Sequence, residues 1–274
     1  MNFELKALTA AAAAREKCDL LLVLVSEHAA LGSDALGTMA AHAVKQGDFA
    51  LSCGKQLALY QVPAIAARRV VLLGVGAGTA KDVRNALASC ASALKSEGVT
   101  KAVVSLTFEA NAQIVAAAVQ AVADVTYLYT HTKSQAKPIG LTKVVLGVIS
   151  KNAAVASAFE TAVAQQEGVA VAREWANRPA NHSTPTMLAN AAKNIAMAAR
   201  MSCKIHGPAE VAKLGMGAFM AVAQGSREPL RFIELHYNGA AKTEAPIVLV
   251  GKGITFDTGG ISLKPAAEMD EMKY

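Results

Sequence analysis

Two lysines and an aspartate lie close together near the end of the sequence, among four glycines. Lys252, Asp257 and Lys264 directly follow the short apolar run 247–250, which we predict to be a buried strand. Because glycines permit positive φ and tight turns, this segment can curl and bring the three side chains into one pocket. Ligands of open α/β sheets bind at the carboxyl ends of strands, so chemistry is expected here.

These residue types allow several kinds of site. The carboxylate of Asp257 can bind a divalent metal, and a lysine beside such an ion can lose its proton and bind as a neutral amine. A second lysine that stays charged can stabilise negative charge on a carbonyl oxygen. The alternatives are a surface ion pair in a glycine-rich turn or a phosphate cradle, although the GxxxxGK[ST] pattern is absent. One carboxylate is too few for a metal site, so residue types alone leave these alternatives open.

The stretch VGKGITFDTGGISLKP, residues 250–265, closely resembles the signature of the leucyl aminopeptidase family, peptidase family M17. The upstream string LGMGAFMAVAQGS, residues 214–226, resembles the same family. The resemblance implies a two-metal aminopeptidase that removes amino-terminal residues from peptides, with zinc or manganese as the metals. It also implies a cytoplasmic homohexamer that acts on peptides with a free amino terminus.

Individual roles follow from the resemblance alone. Asp257 would bridge both metals, Lys252 would bind one of them, and Lys264 would be the catalytic residue that polarises the scissile carbonyl. All three residues would also contact the substrate. Met272 would contact it too, because it falls where the family lines its pocket for an apolar first side chain such as leucine. Asp270 is a bystander in the motif.

The family's motif continues beyond Tyr274 with a further aspartate ligand, and its other acidic ligands and a catalytic arginine come later still. Lys252, Asp257 and Lys264 are the only members of that set in these 274 residues. We therefore expect this chain to be the amino-terminal portion of a longer enzyme and to be inactive by itself.

Composition agrees with a globular α/β protein. Hydrophobic residues make up 53% of the chain and charged residues 18%, enough to bury a large core. The net charge of +6 is spread out without a dense Lys/Arg run, which does not indicate a nucleic-acid partner. The four cysteines are scattered and predict free thiols in a reducing compartment. The apolar run 20–25 is too short for a signal or membrane segment.

Strands alternate with helices through residues 1–150, which predicts a largely parallel sheet covered by helices. The resemblance implies that this domain is macro-like and non-catalytic. Residues 151–175 are predicted to be a connecting helix, which Gly168 can break or bend. Residues 176–274 are predicted to be the start of the catalytic domain. The elements predicted in the first domain are strands at 20–25, 56–62, 69–73, 101–107 and 143–149, and helices at 35–45, 81–97 and 110–123.

In the second domain, Thr184 and Pro185 are predicted to open a helix that runs to about Arg200, and residues 231–237 a strand. Trp175 is interpreted as domain-interface packing. His182, His206 and His236 are interpreted as structural residues.

A second glycine-rich turn resembles a dinucleotide-binding fingerprint without meeting it. Gly74, Gly76 and Gly78 follow a strand and precede a helix, but Thr79 occupies a position that requires a small residue. No acidic ribose partner ends the next predicted strand. We therefore interpret this passage as a strand-to-helix turn. The alternative to an enzyme is a non-catalytic binding or scaffold module built on the first domain, which would bind a nucleotide, a nucleic acid or another subunit.

Overall fold

A computed structural model describes residues 1–197, 201–267 and 269. The chain forms two compact units, Met1–Val171 and Ala172–Tyr274, and the division falls inside one long helix. The predicted division at 1–150, 151–175 and 176–274 remains a prediction.

The first unit contains a six-stranded sheet. Its strands are β1 (Asn2–Ala7), β2 (Leu20–Val25), β3 (Gln56–Tyr60), β4 (Arg69–Gly74), β5 (Lys101–Leu106) and β6 (Lys143–Val148). Their order in the sheet is β1-β6-β5-β2-β4-β3, and every neighbouring pair is parallel except β3 with β4. The prediction of a largely parallel α/β sheet is confirmed.

Strand β2 lies inside this sheet because all six of its side chains are apolar. Each is at most 1% exposed, as expected for a strand covered by helices on both faces. Leu20, Leu22 and Leu24 pack into the larger of two apolar clusters, and Leu21 and Val23 pack into the other. This strand therefore joins the two halves of the core.

Helices cover both faces of the sheet. They are α1 (Ala10–Arg15), α2 (Ala35–Gln46), α3 (Ala80–Ser89), α4 (Ala91–Leu94), α5 (Ala112–Thr126) and α6 (Ala153–Asn177). The single helix predicted at 81–97 is two helices, because the backbone at Cys90 departs from helical geometry with φ −90° and ψ 12°. Gly168 was expected to break or bend the long helix α6, and it does not break it, because α6 is uninterrupted from Ala153 to Asn177.

The turn between β4 and α3 is closely packed against neighbouring side chains. Gly78 has φ +74°, and a Cβ there would lie 3.3 Å from both the Phe108 ring and the Ser26 side chain. Thr79 and Asp82 form a capping box that satisfies the helix amino terminus from within the protein. The interpretation as a strand-to-helix turn is confirmed.

The second unit contains a two-stranded antiparallel sheet and short helices. Its elements are a 3₁₀ turn (Ala180–His182), α7 (Pro185–Ala196), β7 (Met201–His206), α8 (Pro208–Lys213), α9 (Gly217–Ala223) and β8 (Phe232–Tyr237). Thr184 caps α7 by accepting a hydrogen bond from the Met187 amide, and Pro185 takes the first turn, as predicted. Helix α7 ends at Ala196, and Arg200 lies outside the described residues. Among the described residues, no helix is long and apolar enough to cross a membrane.

The prediction of a buried strand at 247–250 is wrong. The side chains of Ile247, Val248, Leu249 and Val250 are 74–93% exposed, and no described strand pairs with this run. A strand that is apolar on both faces needs neighbouring strands and covering helices. In the described part of this unit, β7 and β8 pair only with each other, so residues 247–250 have no neighbouring strand. Their exposed side chains show that no helix covers them either.

Candidate active site

The segment that follows the exposed run folds into a tight loop around Asp257. Gly259 and Gly260 have φ of +89° and +65°, a conformation that glycine adopts without steric cost. The turn returns the chain so that the Lys264 amide donates to the Thr258 carbonyl at 2.9 Å. A Cβ at residue 259 would lie 2.2 Å from the Ser262 carbonyl oxygen, so this closure requires glycine.

The loop holds the Asp257 carboxylate by both oxygens. Oδ1 accepts a hydrogen bond from the Gly259 amide at 2.9 Å, and Oδ2 lies 3.3 Å from Lys264 Nζ. The Gly259 hydrogen bond, followed by the Lys264 ammonium and the charge of Lys252, lowers the pKa of Asp257 below its ordinary value. The carboxylate is therefore charged at neutral pH and 43% exposed.

The structure brings two of the three predicted site residues into contact. Asp257 and Lys264 form an ion pair, whereas Lys252 is exposed and acts on Asp257 through its charge. Met272 and Asp270 lie outside the described residues.

A metal ion needs more donors than this loop provides. In residues 1–197, 201–267 and 269, no group of three or more His, Cys, Asp or Glu side chains is arranged to hold a metal. The loop offers one carboxylate, already held by Gly259 and Lys264, and one lysine amine. One carboxylate and one amine can supply some of the ligands of a divalent metal ion, but fewer than such an ion requires.

Other polar residues of the second unit have structural partners. His206 is buried, with its Nε2 atom 2.5 Å from Glu234 Oε1 and its ring packed against Phe232. The guanidinium of Arg178 lies 4.1 Å from the centre of the Trp175 ring and pairs with Glu174. The structural interpretation of His206 agrees with its contacts.

Comparison with known sequences identifies the loop's context. A sequence profile of the N-terminal domain of the cytosol aminopeptidase family matches residues 7–136, and that of the family's catalytic domain matches residues 170–274. The chain belongs to the cytosol aminopeptidase family. The loop at residues 257–264 lies within the region that matches the catalytic domain.

Curated members of the cytosol aminopeptidase family align along the whole chain. A probable cytosol aminopeptidase of Verminephrobacter eiseniae is 58% identical over 274 residues, and one of Acidovorax sp. (strain JS42) is 59% identical over 276 residues. The matches cover 100% of this chain, 53% of the first relative and 55% of the second. The chain therefore spans about half the length of the curated relatives it matches.

Solved structures share the fold. A mutant of tomato leucine aminopeptidase has a TM-score of 0.76 at 24% identity, and the match covers 95% of this chain and 55% of that one. The bottromycin maturation enzyme BotP in complex with Mn has a TM-score of 0.70 at 26% identity, and the match covers 92% of this chain and 51% of that one. An α/β amino-terminal domain followed by sequence of the catalytic domain is thus the arrangement of this chain.

Proposed function

We propose that residues 1–274 belong to a metal-dependent aminopeptidase that removes apolar residues, leucine among them, from the amino termini of peptides. The observation that carries the proposal is the closed loop in which Gly259 and Gly260 bring Lys264 to Asp257. Family membership and the uninterrupted motif around this loop support it. The alternative of a non-catalytic binding module predicts no hydrolysis in any form of the protein.

Each loop residue has a proposed role. Asp257 is a charged carboxylate with accessible oxygens, which suits a metal ligand shared by two ions. Lys252, exposed beside it, is proposed as a second ligand in its neutral form. Two divalent zinc or manganese ions, when bound, supply a Lewis acid for the carbonyl and a water molecule of lowered pKa. The residues present hold only part of this set, so we propose that further ligands lie outside the described residues.

Lys264 is proposed to act directly on the substrate. A lysine ammonium placed at the carbonyl oxygen stabilises the negative charge that develops there when the carbonyl is attacked. The turn at Gly259 sets the position of this side chain relative to Asp257, so both groups face the same space. Met272 remains our proposal for the wall of the pocket that receives an apolar first side chain.

The proposal extends to location and assembly. A cytoplasmic enzyme agrees with four cysteines that form no disulfide, because reducing compartments keep thiols free. A homohexamer is proposed from the family resemblance, and light scattering on the longer protein described next would measure it.

A chimera tests the function. Residues 1–274 are joined to the part of the Verminephrobacter eiseniae relative that follows its matched segment, and hydrolysis of leucine p-nitroanilide is measured with Mn²⁺ or Zn²⁺. We expect the chimera to be active and to lose activity with a chelator, and the 274-residue chain alone to be inactive. Hydrolysis by the purified 274-residue chain would contradict the second expectation, and an inactive, folded chimera would contradict the function.

Variants of the chimera test the roles. Lys264→Ala is expected to lower kcat about 10²–10³-fold, the usual loss when a group that stabilises an oxyanion is removed. Asp257→Asn is expected to weaken metal binding, which is measured by calorimetry. Lys242→Ala is the matched control, because Lys242 is an exposed lysine of the same unit outside the loop. Equal activity in Lys264→Ala and Lys242→Ala would remove Lys264 from the mechanism.

A further inference from the structure

The first unit contains a cavity far along the chain from the loop at residues 257–264. Its volume is ≈ 360 Å³, within the range of small-molecule sites. The start of β1, the end of α5, the segment before β6 and the middle of α6 form its wall. Fourteen residues line it: Met1, Phe3, Ala123, Thr126, Tyr127, Leu128, Thr130, Pro138, Ile139, Leu141, Val163, Gln166, Glu167 and Ala170.

The inner wall of the cavity is apolar and continuous with the core. Leu141 is 5% exposed, and Phe3, Ile139 and Val163 pack against the larger apolar cluster. The Met1 sulfur lies 3.8 Å from Thr126 Oγ1, whose hydroxyl donates to the Val122 carbonyl. The inner wall can therefore accept an alkyl or aromatic group without leaving a buried polar atom unpaired.

One charged side chain lies on this lining, the carboxylate of Glu167. Glu167 is exposed on α6, and its sequence neighbour Gln166 also lines the cavity. Within the described part of the chain, no side chain forms an ion pair or hydrogen bond with Glu167. The other charged group of the lining residues is the α-ammonium of Met1. The carboxylate of Glu167 beside an apolar wall is complementary to the charged end of a ligand that has one positive charge and an apolar body.

We propose that this cavity binds small apolar molecules that carry a protonated primary amine. The alkyl or aryl group fills the space between Phe3, Leu141 and Val163, and the ammonium pairs with Glu167. A free amine and the amino terminus of an apolar peptide share this chemistry. The binding is independent of the proposed peptidase reaction, because none of the lining residues belongs to the loop that holds Asp257.

The test uses the 274-residue chain with a carboxy-terminal tag, in excess EDTA, so that metal-dependent binding is removed. Binding of 3-methylbutylamine, leucinamide and uncharged 3-methylbutanol is followed by ¹H–¹⁵N NMR titration. We expect both amines to shift amide signals around residues 123–130 and 163–170, with leucinamide standing for a peptide amino terminus. Tighter binding of the alcohol than of 3-methylbutylamine, or shifts elsewhere only, would overturn the proposal.

Two variants and two controls locate the site. Glu167→Gln is expected to weaken amine binding about fivefold while leaving the alcohol unchanged, since an exposed ion pair contributes up to about 1 kcal/mol. Ala170→Trp is expected to fill the cavity mouth and abolish binding of all three probes. Glu160→Gln and Val169→Trp are the controls, because both residues are exposed on α6 and neither lines the cavity. An unchanged affinity in both Glu167→Gln and Ala170→Trp would refute the site.

Discussion

The ammonium of Lys264 lies 3.3 Å from Oδ2 of Asp257, and the Gly259 amide donates to the other carboxylate oxygen at 2.9 Å. The ion pair joins residues seven positions apart in the sequence, and both contacts lower the pKa of the Asp257 carboxyl. The pair is well exposed to solvent, with 43% of the Asp257 side chain accessible. Its contribution is therefore to the position and charge of the two groups more than to the stability of the fold.

The first prediction concerns the charge on Asp257. Lys264→Met removes one of the groups that lower the pKa of this carboxyl, so the pKa is expected to rise toward its ordinary value of 3.8. Titration of the Asp257 side-chain carboxyl by ¹³C NMR measures the change. Lys242→Met is the matched control and is expected to leave the titration unchanged. A lower pKa in Lys264→Met would contradict the ion pair.

The second prediction concerns acid stability of the first unit. Asp19 accepts hydrogen bonds from the Thr100 amide, the Thr100 hydroxyl and the Lys101 amide, and these lower its pKa. Glu16 pairs with Lys101 at 2.7 Å and with Lys6 at 3.0 Å, which lowers its pKa too. Both carboxyls therefore have a lower pKa in the folded chain than in the unfolded chain. The stability that their charged forms contribute is present at neutral pH, and it is lost as the pH falls below the ordinary pKa values, 3.8 for Asp19 and 4.5 for Glu16.

Urea unfolding between about pH 6 and about pH 3 checks this sign. The double variant Asp19→Asn with Glu16→Gln is expected to be less stable than the natural chain at pH 6 and to lose less stability on acidification. Asp48→Asn, at an exposed position, serves as the control. A pH dependence as steep in the double variant as in the natural chain would show that other groups are responsible.

The third prediction concerns thiol reactivity. Burial raises the pKa of Cys18 and of Cys90 to about 11, so both are protonated at neutral pH and are poor nucleophiles. Cys53 is exposed, although partial burial raises its pKa as well. With iodoacetamide at neutral pH, we expect Cys53 to be alkylated before Cys18 and Cys90, as measured by peptide mass spectrometry. Denaturation should remove the difference, and faster labelling of Cys90 in the native chain would contradict its burial.

The fourth prediction concerns the core. Leu22 is fully buried in β2, so Leu22→Ala is expected to destabilise the first unit by about 2–5 kcal/mol. Hydrogen exchange of the β2 and β5 amides measures the loss. Leu128→Ala, at a position 42% exposed, is expected to change stability by about 0.5 kcal/mol or less.

Local sequence patterns predicted the strands and helices that depend mainly on the residues they contain. The run 20–25 is β2 to the residue, because six consecutive apolar side chains have no stable place except a doubly covered strand. Strand β1 was not predicted, although Glu4 and Lys6 alternate with apolar residues in the period of a strand. In the structure these charges are satisfied at the sheet edge by Lys143 and Glu16.

The same reasoning fails where the outcome depends on distant residues. Residues 247–250 carry the pattern of a buried strand, but a pattern reports only the capacity to be buried and not the presence of neighbouring strands. At the candidate site, glycine spacing predicted the curl, and the structure adds which carboxylate oxygen contacts Gly259 and which contacts Lys264. The cavity in the first unit gave no sequence signal, because its wall comes from four separated segments.

The left-handed turn at Gly259 also bears on how this gene can vary. Every missense change of one nucleotide in a glycine codon introduces a residue with a Cβ, and here that atom would meet the Ser262 carbonyl at 2.2 Å. No single-step replacement therefore preserves the loop. Random mutagenesis of the chimera, scored by hydrolysis of leucine p-nitroanilide, should return position 259 as intolerant in every codon reached by one base change.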